Sequence, residues 1–305
     1  MASVTLTESA KLEQNLLLAG VIETIVTVDQ FFEILPFLGI GGNALAYNRE
    51  NVAGDAQFAT VGTTITAKAA ATFTAVTDSL TKIIGDAEVD EFIQATRSNV
   101  SDQKAVQIMS KAKTVGRTYA SNFINGDGTS NTFSGLLTLL ASGQTISAGT
   151  NGAALSFTLL DELIDKITDK DGDVDYILMN GRTIRSYFVL LRALGGASIG
   201  DAIKLPSGSE VPAYRNIPIF KNNYIPITQT QGTESAATTI LAGTIDDGTE
   251  KIGISGITAE NAAGINIQDI GVSATKDETI TRIKWYCGLS NFSELGLAGI
   301  IGINN

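Results

Sequence analysis

The chain has 305 residues, long enough to bury a substantial core without covalent staples, and its 21 Lys and Arg against 32 Asp and Glu leave a net charge of −11. That balance argues against a dedicated nucleic-acid reader, which shows a basic footprint. The absence of histidine removes the Ser-His-Asp relay and the commonest metal ligand, and the single Cys287 excludes an intrachain disulfide and a thiolate zinc site.

Residues 1–42 open with a helical pattern, in which Leu12, Leu16, Ala19 and Glu23 recur at helical spacing and Leu17, Val21, Ile22 and Ile25 widen the apolar stripe. A hydrophobic cluster follows from Phe31 to Leu38 and ends in Gly39, Gly41 and Gly42. From Ala44 to Ile84 the pattern becomes extended. A first strand is expected around Ala44–Glu50. In a second, Ile65, Ala67, Ala69, Ala71, Phe73 and Ala75 alternate with Thr64, Thr66, Lys68, Thr72 and Thr74. Such a two-stranded ribbon is marginal by itself in water, and its thin apolar face calls for a neighbouring surface.

Residues 102–125 predict a long helix with Ser101 as N-cap and Gly126 as the left-handed residue after its end. Ala105, Met109, Ala112, Gly116, Tyr119 and Phe123 form its seam, with Lys104, Lys111, Lys113 and Arg117 on other faces. Ser156 is expected to cap a helix burying Leu160, Leu163, Ile164 and Ile167. A buried strand from Val174 to Met179 follows, then a helix over Arg182–Leu194 stopped by Gly195 and Gly196. Pro212, Pro218 and Pro226 suit edge strands, residues 228–275 read as short strands, and Thr279–Leu289 alternates again around Ile283, Trp285 and Cys287. No fixed-period repeat is present. Strands and helices mix without regular βαβ alternation, so the fold class is α+β.

Only 17% of residues are charged, against about 25% in ordinary globular chains. No apolar stretch reaches membrane-spanning length, and no basic segment precedes an apolar block at the N-terminus, so neither a membrane span nor a secretory signal is expected. Burial between subunits accounts for such a surface, since interface cores are depleted in charge.

Motifs for chemistry are weak. Gly39-Ile40-Gly41-Gly42-Asn43-Ala44 matches a loose dinucleotide fingerprint, but Pro36 interrupts its approach and an extended ribbon follows it. Asp169, Asp171, Asp173 and Asp175 surround Gly172, yet Ile167 and Leu178 stand where a calcium-binding loop needs acids. Asp86, Glu88, Asp90 and Glu91 read as solvated carboxylates, and Cys287 as a buried small hydrophobe. No catalytic, cofactor-binding or metal-binding residue is assigned, no cofactor is expected, and the chain reads as a non-enzyme.

Several segments in order resemble the major capsid protein of tailed bacteriophages, with its Hong Kong 97-type capsid fold. They are Phe32–Phe37 running into Asn43–Glu50, Gly85–Ile93, Phe133–Leu136, Asp175–Arg185, Tyr214–Ile219 and Lys284–Gly288. The resemblance implies an N-terminal arm at 1–43, an E-loop at 44–84 and a peripheral domain with spine helix at 85–130. It further implies an axial domain at 131–265, a peripheral return strand at 266–290 and a C-terminal segment near the axial domain at 291–305. A structural protein follows, self-assembling in the bacterial host cytoplasm into pentamers and hexamers of an icosahedral virion head. Its partners would be copies of itself, packaged double-stranded DNA held without sequence specificity, a portal, and separate scaffolding or decoration proteins, with no membrane. Some relatives join an E-loop lysine to a neighbour's asparagine; Lys68 is the only lysine at 44–80, and no matching asparagine or glutamate can be assigned. The alternatives are an encapsulin-like nanocompartment shell, which shares the fold, and a β-rich surface or adhesion protein.

Overall fold

A computed structural model describes residues 30–97, 103–129, 131–194, 202–206, 208–248, 252–262 and 264–304. The helix expected within 1–28, the Ser101 cap and the Gly195–Gly196 stop lie outside them. After a 3-10 turn at Gln30–Glu33 come β1 (Phe37–Ile40), β2 (Ala44–Val52), β3 (Thr72–Ser79) and β4 (Thr81–Asp90). Then follow α1 (Glu91–Arg97), α2 (Gln103–Asn125), α3 (Leu136–Leu139), β5 (Thr145–Ser147) and α4 (Phe157–Thr168). Next are β6 (Tyr176–Met179), α5 (Gly181–Ala193), β7 (Ala202–Lys204), β8 (Glu210–Tyr214) and β9 (Ile217–Lys221). The chain closes with β10 (Gln229–Gln231), β11 (Glu234–Gly243), β12 (Ile254–Ala259), β13 (Ile265–Val272), β14 (Glu278–Asn291) and β15 (Leu297–Ile303).

Two sheets carry the structure. The first is organised by β14, which pairs antiparallel with β4 along one edge and with β13 and then β12 along the other; β1 joins β12 in parallel. Alternation makes this possible, because Thr281, Ile283, Trp285 and Cys287 point inward while Arg282, Lys284 and Tyr286 remain partly exposed. The second sheet runs β5-β15-β11-β6-β9-β8-β7, with β10 added to β11. All four residues of β6 are buried, and they divide between two cores: Tyr176 and Leu178 face the core shared with α2, while Ile177 and Met179 face α4 and α5. A strand covered on both faces explains this unbroken apolar run.

The long helix α2 packs on β4 and β14. Tyr119 lies 4.5 Å from Trp285 with the rings tilted by 39°, and Phe123 lies 5.4 Å from both Phe31 and Phe32. Its buried face is Ile108, Ala112, Val115, Gly116, Tyr119, Ala120, Phe123 and Ile124, whereas Met109 of the expected seam is exposed. The real stripe is wider than a four-three seam because α2 leans on a sheet at one end and on aromatic rings at the other. Ser156 Oγ accepts from the Leu159 amide at 3.2 Å and caps α4, whose four expected apolar residues are all buried. Asn180 caps α5, its Oδ1 accepting from the Arg182 amide at 3.0 Å.

Several expectations need correction. The alternating stretch 64–71 is not paired as a strand; β3 begins only at Thr72. Residues 81–84, grouped with the ribbon by sequence, form the start of β4 and pair with Lys284–Cys287. Within the expected axial segment 131–265, β12 belongs instead to the sheet organised by β14. Strand β9 is internal despite Pro218. The proline sits opposite Ala213 of β8, and pairing with β6 begins one residue later at Ile219, so the missing N–H faces no ladder partner there.

Candidate functional site

Among the described residues the β2–β3 ribbon pairs with no other strand. Its root is fastened to the end of β14 by side chains. Arg49 Nε donates to the Phe292 carbonyl at 3.0 Å, Arg49 Nη2 to the Asn291 carbonyl at 2.6 Å, and Nη1 pairs with Glu294. The Tyr47 hydroxyl lies 2.9 Å from the Asn291 carbonyl and 3.1 Å from Asp78 Oδ2, which also accepts from Ser290 Oγ at 2.6 Å. The Tyr47 ring meets Phe292 at 5.1 Å. Burial, together with the Asp78 charge, pushes the Tyr47 hydroxyl above its ordinary value, so it stays protonated and able to donate.

Beyond the root, side chains replace the ladder. Gln57 Oε1 accepts from the amides of Thr66 and Ala67, both at 2.7 Å, and Asp55 Oδ1 accepts from the Ala69 amide at 2.6 Å. The tip is thereby held as a flat extension while exposing apolar residues. Phe58 and Val61 are fully exposed, and Val52, Ile65 and Phe73 are 58%, 59% and 66% exposed. Five large apolar side chains on a ribbon with no core of its own form a contact surface without a contact in one copy. The sequence signals the ribbon but not its clasp, since Arg49 and Phe292 are 243 positions apart.

No protein-family model matches the chain, and no curated protein matches it in sequence. Solved structures do match. An encapsulin complex, SrpI of Synechococcus elongatus PCC 7942, superposes with TM-score 0.71 at 18% identity over 90% of this chain and 87% of that one. The capsid of a native GTA particle gives 0.63 at 13% identity over 92% and 91%. The phage G structure of major capsid and decoration proteins gives 0.59 at 13% identity over 88% of each chain. The chain has the Hong Kong 97-type capsid fold.

Within this Hong Kong 97-type fold the residues weighed for chemistry take structural positions. Gly39 and Gly41 lie at the end of β1, and a strand rather than a helix follows them. Asp169 ends α4, Asp171 adopts a left-handed turn with φ of 60°, and Asp175 Oδ2 accepts from the Ile245 amide at 2.8 Å. Among the described residues, no three such ligands converge on a point. Asp86 makes a two-pronged bond to Arg282, Oδ1 to Nε and Oδ2 to Nη2, both 2.7 Å, and this bond holds its carboxyl below the usual range. Asp90 Oδ1 accepts from the Phe92 and Ile93 amides at the start of α1, and Glu91 accepts from Thr279. Cys287 is fully buried, and burial pushes its thiol upward, away from the nucleophilic thiolate. Lys68 is exposed on the ribbon tip. Among the described residues, no helix is long and apolar enough to cross a membrane.

Proposed function

We propose that this chain is the structural subunit of a closed protein shell, the major capsid protein of a phage head, built from pentamers and hexamers around double-stranded DNA. In this reading the β2–β3 ribbon is the E-loop and lies on an adjacent copy, α2 is the spine helix, the β14 sheet is the peripheral domain and the β6 sheet the axial one. Burying the five exposed apolar side chains of the ribbon against a neighbour supplies the driving force for assembly. At roughly 1.5–3 kcal/mol for each large side chain, full burial of the five is comparable in size to the roughly 4–15 kcal/mol that association costs. A net charge of −11 suits loose enclosure of a polyanion better than tight phosphate binding. Portal, scaffolding and decoration proteins would be its further partners, and the virion its destination after assembly in the host cytoplasm.

The observation that carries this reading is the ribbon, paired to nothing beyond its root and apolar at its tip. Replacing residues 53–71 with a two-residue Asn-Gly turn removes the tip and leaves the clasp intact. The shortened chain is expected to fold and remain as small species in sedimentation, where the full chain forms particles. Particles of normal size from the shortened chain would overturn the reading. A second reading, an encapsulin-like compartment holding protein cargo, is favoured by the superposition on the Synechococcus encapsulin. Particle content separates the two: nucleic acid for a phage head, protein for a compartment.

A further inference from the structure

Charge is unevenly divided in the half of the molecule built on β6. Residues 156–175 carry seven carboxylates and two lysines, whereas residues 176–200 carry three arginines and no carboxylate. In chain order β6 stands between the two groups. The acidic helix end and turn lead into its N-terminal end, and the arginines follow its C-terminal end, where Lys221 joins them opposite Met179.

The basic group forms a face. Arg185, Val189 and Arg192 fall four and three residues apart on α5 and are all exposed, Val189 by 57%. They line a hollow of about 440 Å³ with Arg182, Ser186 and Phe188. A second hollow of about 570 Å³ connects Arg185 with Lys221 and Asn223. Arg182 is tied to the Ala236 carbonyl. Arg185, Arg192 and Lys221 form no ion pair among the described residues. The acidic group is equally unmatched. Glu162, Asp165, Asp169, Asp171 and Asp173 are exposed and form no ion pair among the described residues, while Asp161 alone pairs, with Arg215 at 3.2 Å.

We propose that the outer face of α5, with Arg185, Val189, Arg192 and Lys221, docks on the acidic end of α4 and its turn, Asp165 to Asp173, in the next copy of the chain. The contact rests on the shell-subunit reading and adds which surfaces meet. Within one copy no ion pair links Arg185, Arg192 or Lys221 to this acidic group among the described residues, so the contact is open to a second copy. Its complementary halves sit on different surfaces, so the contact is head-to-tail and generates a ring when its rotation closes. Opposite charge steers and registers such an encounter, and the exposed valine supplies its dry centre.

The test is charge reversal followed by restoration in the full chain. Arg185→Glu with Lys221→Glu is expected to raise the protein concentration needed for particles about tenfold or more at low salt. That shift should shrink by about 0.5 M salt, where exposed charges are screened. Adding Asp165→Lys and Asp169→Lys to the same chain should bring the threshold back. Both lysines suit a helix C-terminus, so the restoring changes do not weaken α4. If the glutamate pair fails to fold by circular dichroism, Arg185→Gln with Lys221→Gln carries the same test with a smaller shift. An unchanged threshold in variants of a chain that does form particles overturns this contact and leaves the shell reading standing. A reversed chain that loses nucleic acid and is not restored overturns it in favour of a polyanion on this face. A full chain that forms no particles at any salt removes both.

Discussion

Arg49→Ala tests whether the ribbon is held only at its root. Arg49 is 17% exposed in its side chain and makes two charge-assisted bonds to carbonyls of the chain leaving β14, besides its pair with Glu294. Bonds to charged groups contribute about 1.5–3 kcal/mol each in proteins, and the freed carbonyls recover part of that from water. The partly exposed Glu294 pair adds little. The net loss is about 3 kcal/mol of docking free energy, close to a 150-fold rise in local opening. Because among the described residues β2 and β3 pair only with each other, that loss should be local rather than global. Hydrogen exchange read by mass spectrometry should show faster exchange by about two orders of magnitude in residues 44–52 and 72–79. Protection in α2 and β14 should be unchanged. Arg49→Lys retains the charge but not the fork, and should recover about half of the effect. Unchanged ribbon protection, or an equal loss throughout α2, would show that Arg49 does not hold the ribbon locally.

Two further outcomes follow from the packing. Gly126→Ala should destabilise by about 3 kcal/mol in denaturant unfolding, because its Cβ would meet the Asn122 carbonyl at 2.6 Å and the Phe133 carbonyl closer still; a loss below about 1 kcal/mol would show that the crossing with Gly135 can open. Asp86 should give acid sensitivity. Its folded pKa lies below the ordinary value of 3.8, so its contribution is complete above that value and lost as pH falls through the lower one. Asp86→Asn should therefore cost about 1 kcal/mol at pH 6 and progressively less as the pH falls below 3.8, and a cost independent of pH would contradict the Arg282 pairing.

The long helix, the capped α4, the buried β6 and the extended ribbon were legible in the sequence because each is set by local periodicity or a capping residue. What was not legible depends on distant partners. Gly126 looked like a left-handed helix stop, but its φ is not positive; space is what it supplies, since Gly135 donates to its carbonyl at 2.9 Å. The stretch 64–71 alternates like a strand, yet Gln57 and Asp55 satisfy its backbone in place of a ladder. Strand β12 joined the β14 sheet through pairing with Gly288 and Leu289, which no pattern near residue 254 announces. The acidic turn before β6 was legible in the sequence, but its basic counterpart became visible only when α5 showed which arginines share a face.

On the shell-subunit reading, one copy of this chain is an unfinished unit. Sedimentation of the purified full chain, with electron microscopy of the same sample, measures this directly. The expected result is closed particles many times the 32.0 kDa subunit mass, with ribbon-tip residues 53–71 protected from exchange only in the particle. A stable 32.0 kDa monomer at all concentrations and salts, with the tip equally protected, would contradict it.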